Sequence, residues 1–311
     1  MRVVSLIASS TETVCALGFE ETLVGRSHEC DYPASVKDLP AVSQPRFDIH
    51  GTSREIDDRV KQAVQKFDSV YQIDKGRLRA LKPDVIITQD HCEVCAVSLK
   101  DVEAAVCEWG GAQPPTIVTL LPNCLEDIWD GMTRIGAALG ESQKANAKIR
   151  EYQNRIQAIA RKIPDGPAPS VACLEWLDPL MVAGNWVPEL AQLLRARDPF
   201  GVPGKHSPWM EWEALVKEDP DYIFVMPCGW DIPKARQEMA GLERRPEWAR
   251  LKAVKTGNVY LTDGNQYFNR PGPRIVESLE ILAEILYPKN FQFGHQSRGW
   301  QKYAVFGEIS T

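Results

Sequence analysis

The sequence predicts an α/β protein of two Rossmann-like lobes, each built on a parallel sheet, joined by a single long backbone helix. Three observations carry that expectation. Short apolar runs alternate with helical patterns through the first half, and strands separated by helices imply a parallel sheet with covered faces. The second half echoes the first: LKPDVIIT and EDPDYIFV are the same phrase, a helix end, Pro-Asp and a buried strand. Between the halves, Ala145, Ile149, Tyr152, Ile156, Ile159 and Ile163 make one apolar stripe at helical spacing. A helix of that length spans about 30 Å, the width of a small domain.

The elements follow in order. RVVSLIA reads as a strand, and SSTETVCALG as a helix opened by Ser9 with Glu12 three residues on, a capping-box spacing. LVGRS is a second strand. SREIDDRVKQAVQKFDSVYQID is amphipathic, its charges forming a solvated face. LRALKPDVIITQ ends a helix at Lys82-Pro83 and starts a strand, because the residue before Pro avoids the helical region. SLKDVEAAVCEWGG is a helix stopped by Gly110 and Gly111, and TIVTL a strand. Residues 125–139 form a helix halted by Gly140, and the long helix runs from Ser142 to the Pro- and Gly-rich IPDGPAP. After Ala168 come SVACLEW (strand), VPELAQLLRA and MEWEALVKE (helices), DYIFVMP and NVYLTD (strands) and PRIVESLEILAEIL (helix). The expected organisation is an N-terminal lobe over 1–124, linking helices over 125–167, a C-terminal lobe over 168–290 and a tail over 291–311.

Composition narrows the function. A chain of 311 residues with 44% apolar and 25% charged residues is an ordinary globular protein. A net charge of −6 argues against a nucleic-acid partner, which needs a basic face. No run of 18 apolar residues exists, so no membrane insertion is expected. MRVVSLIAS enters a strand directly after Met1, which leaves no room for a secretory leader and predicts a cytoplasmic protein; a trimmed leader would make it periplasmic. Eight cysteines then suggest reduced thiols or metal chemistry rather than a disulfide framework. The sequence has no G-x-S-x-G, H-E-x-x-H or phosphate-loop motif, and none of its residues is read as catalytic.

RVVSLIASSTETVCALGFEETLVG, LRALKPDVIIT, WEALVKEDPDYIFV and VYLTDGNQYFNRPGPRIVESLEILAEIL resemble the substrate-binding proteins of iron-siderophore and vitamin B12 ABC importers. The order and spacing of these segments over residues 2–288 carries the likeness, nearest the cobalamin-binding branch. The resemblance implies two α/β lobes on a rigid helical backbone, with a shallow cleft for a siderophore or corrinoid. The missing leader and the many thiols set the chain apart from secreted members. They count against importer docking, since a cytosolic protein never meets the outer face of a permease. In secreted relatives acidic residues dock on the importer, and Glu55 is the candidate here.

Ligands of open α/β sheets sit at the carboxyl ends of the parallel strands. Cys30, Cys92, Cys95 and Cys228 all follow a predicted strand there, three in the first lobe and one in the second. Four thiolates can close around Zn(II) or carry an iron–sulfur cluster, and the loop DHCEVCAV supplies a Cys-X-X-Cys pair. Cys15, Cys107, Cys124 and Cys173 fall in or beside helices and strands and read as small core residues. His28 and His91, beside loop cysteines, are candidate ligands to a corrinoid cobalt or cluster. Trp186 and Trp230 in loop-like stretches offer aromatic faces to a flat ligand, while Trp212 reads as core. In DGNQYFNRPGPR, Tyr267, Asn269 and Arg270 are candidate contacts. Two functions follow: a binding module holding a cobalamin-like corrinoid or other metal chelate, or a metalloprotein carrying a cluster or Zn on cleft cysteines for redox or sensing.

Overall fold

A computed structural model of the chain describes residues 1–67, 69–90, 97, 99–107, 109 and 114–304. Its Cα atoms cluster into two units, Met1–Gly51 with Glu55–Tyr152 and Pro271–Pro273, and Thr52–Arg54 with Gln153–Arg270 and Arg274–Thr311.

The first unit holds β1 (Val3–Ser5), α1 (Ala8–Ala16), β2 (Leu23–Arg26), β3 (Ser43–Pro45), α2 (Ser53–Phe67) from Glu55 onward, β4 (Tyr71–Ile73), α3 (Lys75–Ala80), β5 (Val85–Gln89), α4 (Leu99–Cys107), β6 (Thr116–Leu120), α5 (Leu125–Ala138) and the start of α6 (Ser142–Ala160). Its main sheet runs β2-β1-β5-β6, all parallel, with a separate antiparallel ribbon β3-β4. Side chains alternate faces along a strand, and the core shows it. Val3, Val85 and Ile87 pack with Val14, Leu17 and Ile135 on one side, while Val4 and Ile86 pack with Leu78, Val102 and Ala105 on the other. With both faces covered, every residue of β5 is buried. Each fully buried Val, Leu or Ile contributes about 1.5–3 kcal/mol relative to exposure.

α1 starts differently from the expected capping box. Ile7, in extended backbone, is the N-cap, and no side chain caps the helix. Ser10 and Thr11 instead turn their hydroxyls back to the Ile7 carbonyl and to Ser5, tying the helix to the end of β1.

The second unit takes α6 onward from Gln153, then β7 (Val171–Leu177), β8 (Leu180–Val182), α7 (Val187–Leu193), α8 (Trp212–Glu218), β9 (Tyr222–Val225), α9 (Ile232–Glu243), α10 (Lys252–Lys255), β10 (Val259–Thr262), α11 (Ile275–Leu286) and β11 (Trp300–Lys302). Its sheet runs β11-β10-β9-β7-β8: the inner three strands are parallel, and both edge strands are antiparallel. Leu174, Ile223, Val225, Val259 and Leu261 join Trp212, Met239 and Trp248 in its core. The stretch beyond Asn290 read as a tail; here its Trp300–Lys302 closes the sheet edge beside β10. α11 buries every residue but Glu277, two glutamates included. A helix apolar nearly all round is an interior helix, so its buried carboxylates need partners.

Candidate functional site

In each unit several of the residues singled out above lie on loops that leave the carboxyl ends of the parallel strands. In the first, Arg26 ends β2 and folds its guanidinium onto the carbonyls of Ser27, His28, Lys37 and Leu39, which fixes the loop that follows. His28 Nδ1 lies 2.9 Å from Ser43 Oγ, and its ring packs against Tyr71 at 5.0 Å. The Tyr71 hydroxyl donates to Glu29 Oε1 at 3.0 Å, and that oxygen is 4.0 Å from His28 Nε2. Burial, with the Arg26 charge beside it, pushes His28 down to about 4, so the ring is neutral at pH 7. Two large apolar side chains at this edge, Tyr32 and Leu121, are exposed.

Cys30 does not stand beside His28 as a free loop thiol. Its loop turns back over β1, and the thiol is wholly buried, accepting from Thr11 Oγ1 at 3.0 Å within the core around Val3 and Val14. His91, Cys92 and Cys95 lie outside the described residues. Cys228, at the end of β9 in the second unit, is exposed. Among the described residues no group of three or more His, Cys, Asp or Glu is placed to hold a metal ion, and nothing there supports an iron–sulfur cluster or zinc. Of the four cysteines expected to fill cores, only Cys173 is buried; Cys107 is exposed, and Cys15 and Cys124 are half-buried.

The second unit brings together an aromatic row. Trp176 pairs with Met181 across β7 and β8, and Met181 bridges to Trp209 on the next segment. Residues directly opposite in antiparallel pairing share a face. Leu180, Val182 and Met210 face the core, so Met181, Trp176 and Trp209 face away from it. At one end Trp230, from the loop after β9, packs on Trp176 at 4.7 Å, with Lys234 Nζ 4.9 Å over its ring. At the other end Trp209 is 56% exposed. Strands are about 4.8 Å apart, so the row from Trp176 to Trp209 is about 10 Å long.

The loop after β10 is built around this edge. Asn269 Nδ2 donates to the carbonyls of Met226 (3.0 Å) and Gly264 (2.9 Å), stapling the β9 and β10 loops together. Asn265 N donates to the Trp230 carbonyl. Arg270 is buried and donates to Asn265 Oδ1 at 3.0 Å. Tyr267 is half-buried beneath Arg274, 5.3 Å over its ring. Trp186 is buried too, and its indole N–H donates to the Phe268 carbonyl at 2.7 Å. It holds the loop from behind. Sequence reasoning passed over Trp176 and Trp209. The signal for Trp209 was SPWMEW, in which one tryptophan serves the core and the other does not.

A model of the periplasmic binding protein family matches residues 3–266. The uncharacterized ABC transporter substrate-binding lipoprotein YvrC of Bacillus subtilis (strain 168) is 24% identical over 303 residues, covering 94% of this chain and 81% of its own. A periplasmic heme binding protein from Pseudomonas aeruginosa superposes with a TM-score of 0.71 at 23% identity, covering 93% of each chain. The periplasmic vitamin B12 binding protein BtuF of Vibrio cholerae does so with 0.65 at 19%, covering 94% of this chain and 98% of its own. At such identities the solved structures share the fold. The cytoplasmic location expected above finds no support here: the family is described as periplasmic, and YvrC is a lipoprotein.

Proposed function

The chain belongs to the periplasmic binding protein family, substrate-binding proteins of ABC transporters rather than enzymes, and from that premise we propose that it binds a flat metal chelate, a haem or a cobalamin-like corrinoid. The observation that carries this reading is the row Trp230, Trp176, Met181 and Trp209 in the second unit. Its stretch from Trp176 to Trp209, about 10 Å long, aromatic and thioether in character and exposed at one end, suits the face of a broad apolar macrocycle. Single surface tryptophans are ordinary; one at the end of a continuous aromatic row marks a binding surface. The neighbouring loop carries Tyr267, and Asn269 and Arg270 brace it through their bonds to Met226, Gly264 and Asn265, so that it borders the surface offered to such a ligand as a fixed wall.

In the first unit His28 offers what a chelated metal accepts. Its ring is neutral, and in the tautomer that donates from Nδ1 to Ser43 Oγ, Nε2 is the coordinating atom. Delivery to an importer goes with the family, and the exposed Glu55 on the first turn of α2 is a docking candidate. The test is titration of the purified protein with haemin and, separately, cyanocobalamin, following ligand absorbance and tryptophan quenching. One of the two should bind with a Kd of about 1 μM or tighter. Failure of both at about 100 μM sinks the reading.

A further inference from the structure

We infer that residues 291–303 form a clasp that positions the β10–α11 loop, and that the clasp is closed while His295 is protonated. The segment lies beyond the span the family model matches, and its contacts are specific. Glu284, buried on α11, accepts from the backbone N–H groups of Gly294 and His295 and from the Trp300 indole at 2.9 Å. One turn earlier Glu280 takes His295 Nε2 at 2.9 Å on one oxygen and Arg155 of α6 at 2.7 Å on the other. The buried carboxylates that α11 could not otherwise accommodate are thus satisfied by this one segment and Arg155.

The clasp reaches the loop at three points. The Gly299 carbonyl accepts from Asp263 N at 3.0 Å, where β10 ends. The Tyr267 ring meets His295 edge-on at 6.2 Å. A side chain at Gly299 would stand 3.3 Å from the Tyr267 ring, so the backbone itself backs that ring. Tyr267, Asn269 and Arg270 therefore sit on a loop whose rear wall is the clasp. The charged groups around His295 are Glu280 and Glu284, with Glu277 at the start of α11, Arg274 beside it and Arg155 opposite. Burial alone would lower the proton affinity of His295; the bond to Glu280 and the charges of Glu284 and Glu277 outweigh it and raise it. The ion pair accordingly adds stability at pH values below the ordinary histidine range, and that stability is lost as pH rises through the raised value.

The importance of the loop for binding rests on the ligand reading above; the clasp does not, and its test uses no ligand. Amide hydrogen exchange of the full-length apo protein, corrected for intrinsic rates, is compared at about pH 6 and about pH 9. Protection across 263–268 and 294–300 should fall together, about tenfold for each unit by which the histidine is raised. In His295→Gln, which keeps a neutral donor to Glu280, protection should not change with pH. Equal wild-type protection at the two pH values, or an equally steep fall in the variant, overturns the proposal. Should the variant not fold, the wild-type His295 ring is titrated by NMR. The loop must then lose protection on the same curve, and a different midpoint overturns the proposal as well. Loss of haemin or cyanocobalamin binding with the clasp intact would count against the ligand reading alone.

Discussion

Trp176 and Trp230 pack ring to ring at 4.7 Å where β7 and the loop after β9 meet, and Trp230 keeps only 8% of its surface exposed. The pair gives the aromatic row a fixed inner end, while Trp209 at the outer end is largely bare.

That contrast separates binding from stability. Trp209→Ala removes a side chain that is more than half exposed, so folding stability should change by about 1 kcal/mol at most. Chelate affinity should fall about tenfold or more. Trp186→Ala does the reverse at the level of the fold. It empties a buried site and orphans the Phe268 carbonyl, costing about 3–5 kcal/mol. Urea melts and ligand titrations on both variants check this; a Trp209→Ala protein with unchanged affinity for the bound chelate would remove Trp209 from the site.

His28 makes the first unit sensitive to acid. Its folded value is about 4, below the ordinary 6.5, so between the two the unfolded chain holds more protons. The contribution of this group should be constant above about pH 6.5 and fall as pH drops toward 4, by on the order of 2–3 kcal/mol. Urea unfolding at stepped pH measures it. His28→Asn should flatten that part of the profile, and an unchanged slope in the variant would show that other groups carry the acid sensitivity.

What the sequence disclosed and what it hid divide along physical lines. Runs such as DVIIT and YIFV are legible because a strand covered on both faces must be apolar throughout. Ser9 and Glu12 have capping-box spacing, yet the hydroxyls of Ser10 and Thr11 found better acceptors at the end of β1, a tertiary choice no spacing records. Cys30 follows a strand and reads as a cleft thiol. Only the fold of the Arg26 loop places it in the core. Trp176 was hidden because it lies inside a strand. The register irregularity between Leu174 and Trp176 turns it away from the core that Leu174 joins. The strand Trp300–Lys302 is short and mixed in polarity, so its pairing with β10 leaves no local signature.

Thiol accessibility follows from the same placements. Among the described cysteines of the native protein, Cys107 and Cys228 should react with an aromatic disulfide reagent first, because they are exposed. Cys30 and Cys173 should react only on unfolding. Burial raises Cys173 well above the ordinary thiol range, and burial with nearby Glu20 pushes Cys15 up to about 12, so thiolate is scarce at both. Mass-spectrometric counting of labelled sites decides it. Native labelling of Cys30 at the rate of Cys228 would mean that its loop opens.

Gly264 is the point at which the two loops of the second-unit site touch. A Cβ there would lie 2.1 Å from the Pro227 carbonyl oxygen and 2.8 Å from the Met226 carbonyl, and both obstacles are backbone. Nothing flexible can yield, so Gly264→Ala must drive the β9 loop from the β10 loop. It must also stretch the two bonds by which Asn269 staples them. Overpacking of this kind costs about 1–3 kcal/mol. Because Trp230 rides on the β9 loop, chelate affinity should fall as well. Gly241 in α9 is the control: its added Cβ meets nothing within 4 Å, and alanine in a helix interior should stabilise by about 0.5–1 kcal/mol. Opposite shifts in urea midpoint for the two variants are therefore expected. Equal stability of Gly264→Ala and wild type would mean that the loops are held together more loosely than their contacts indicate.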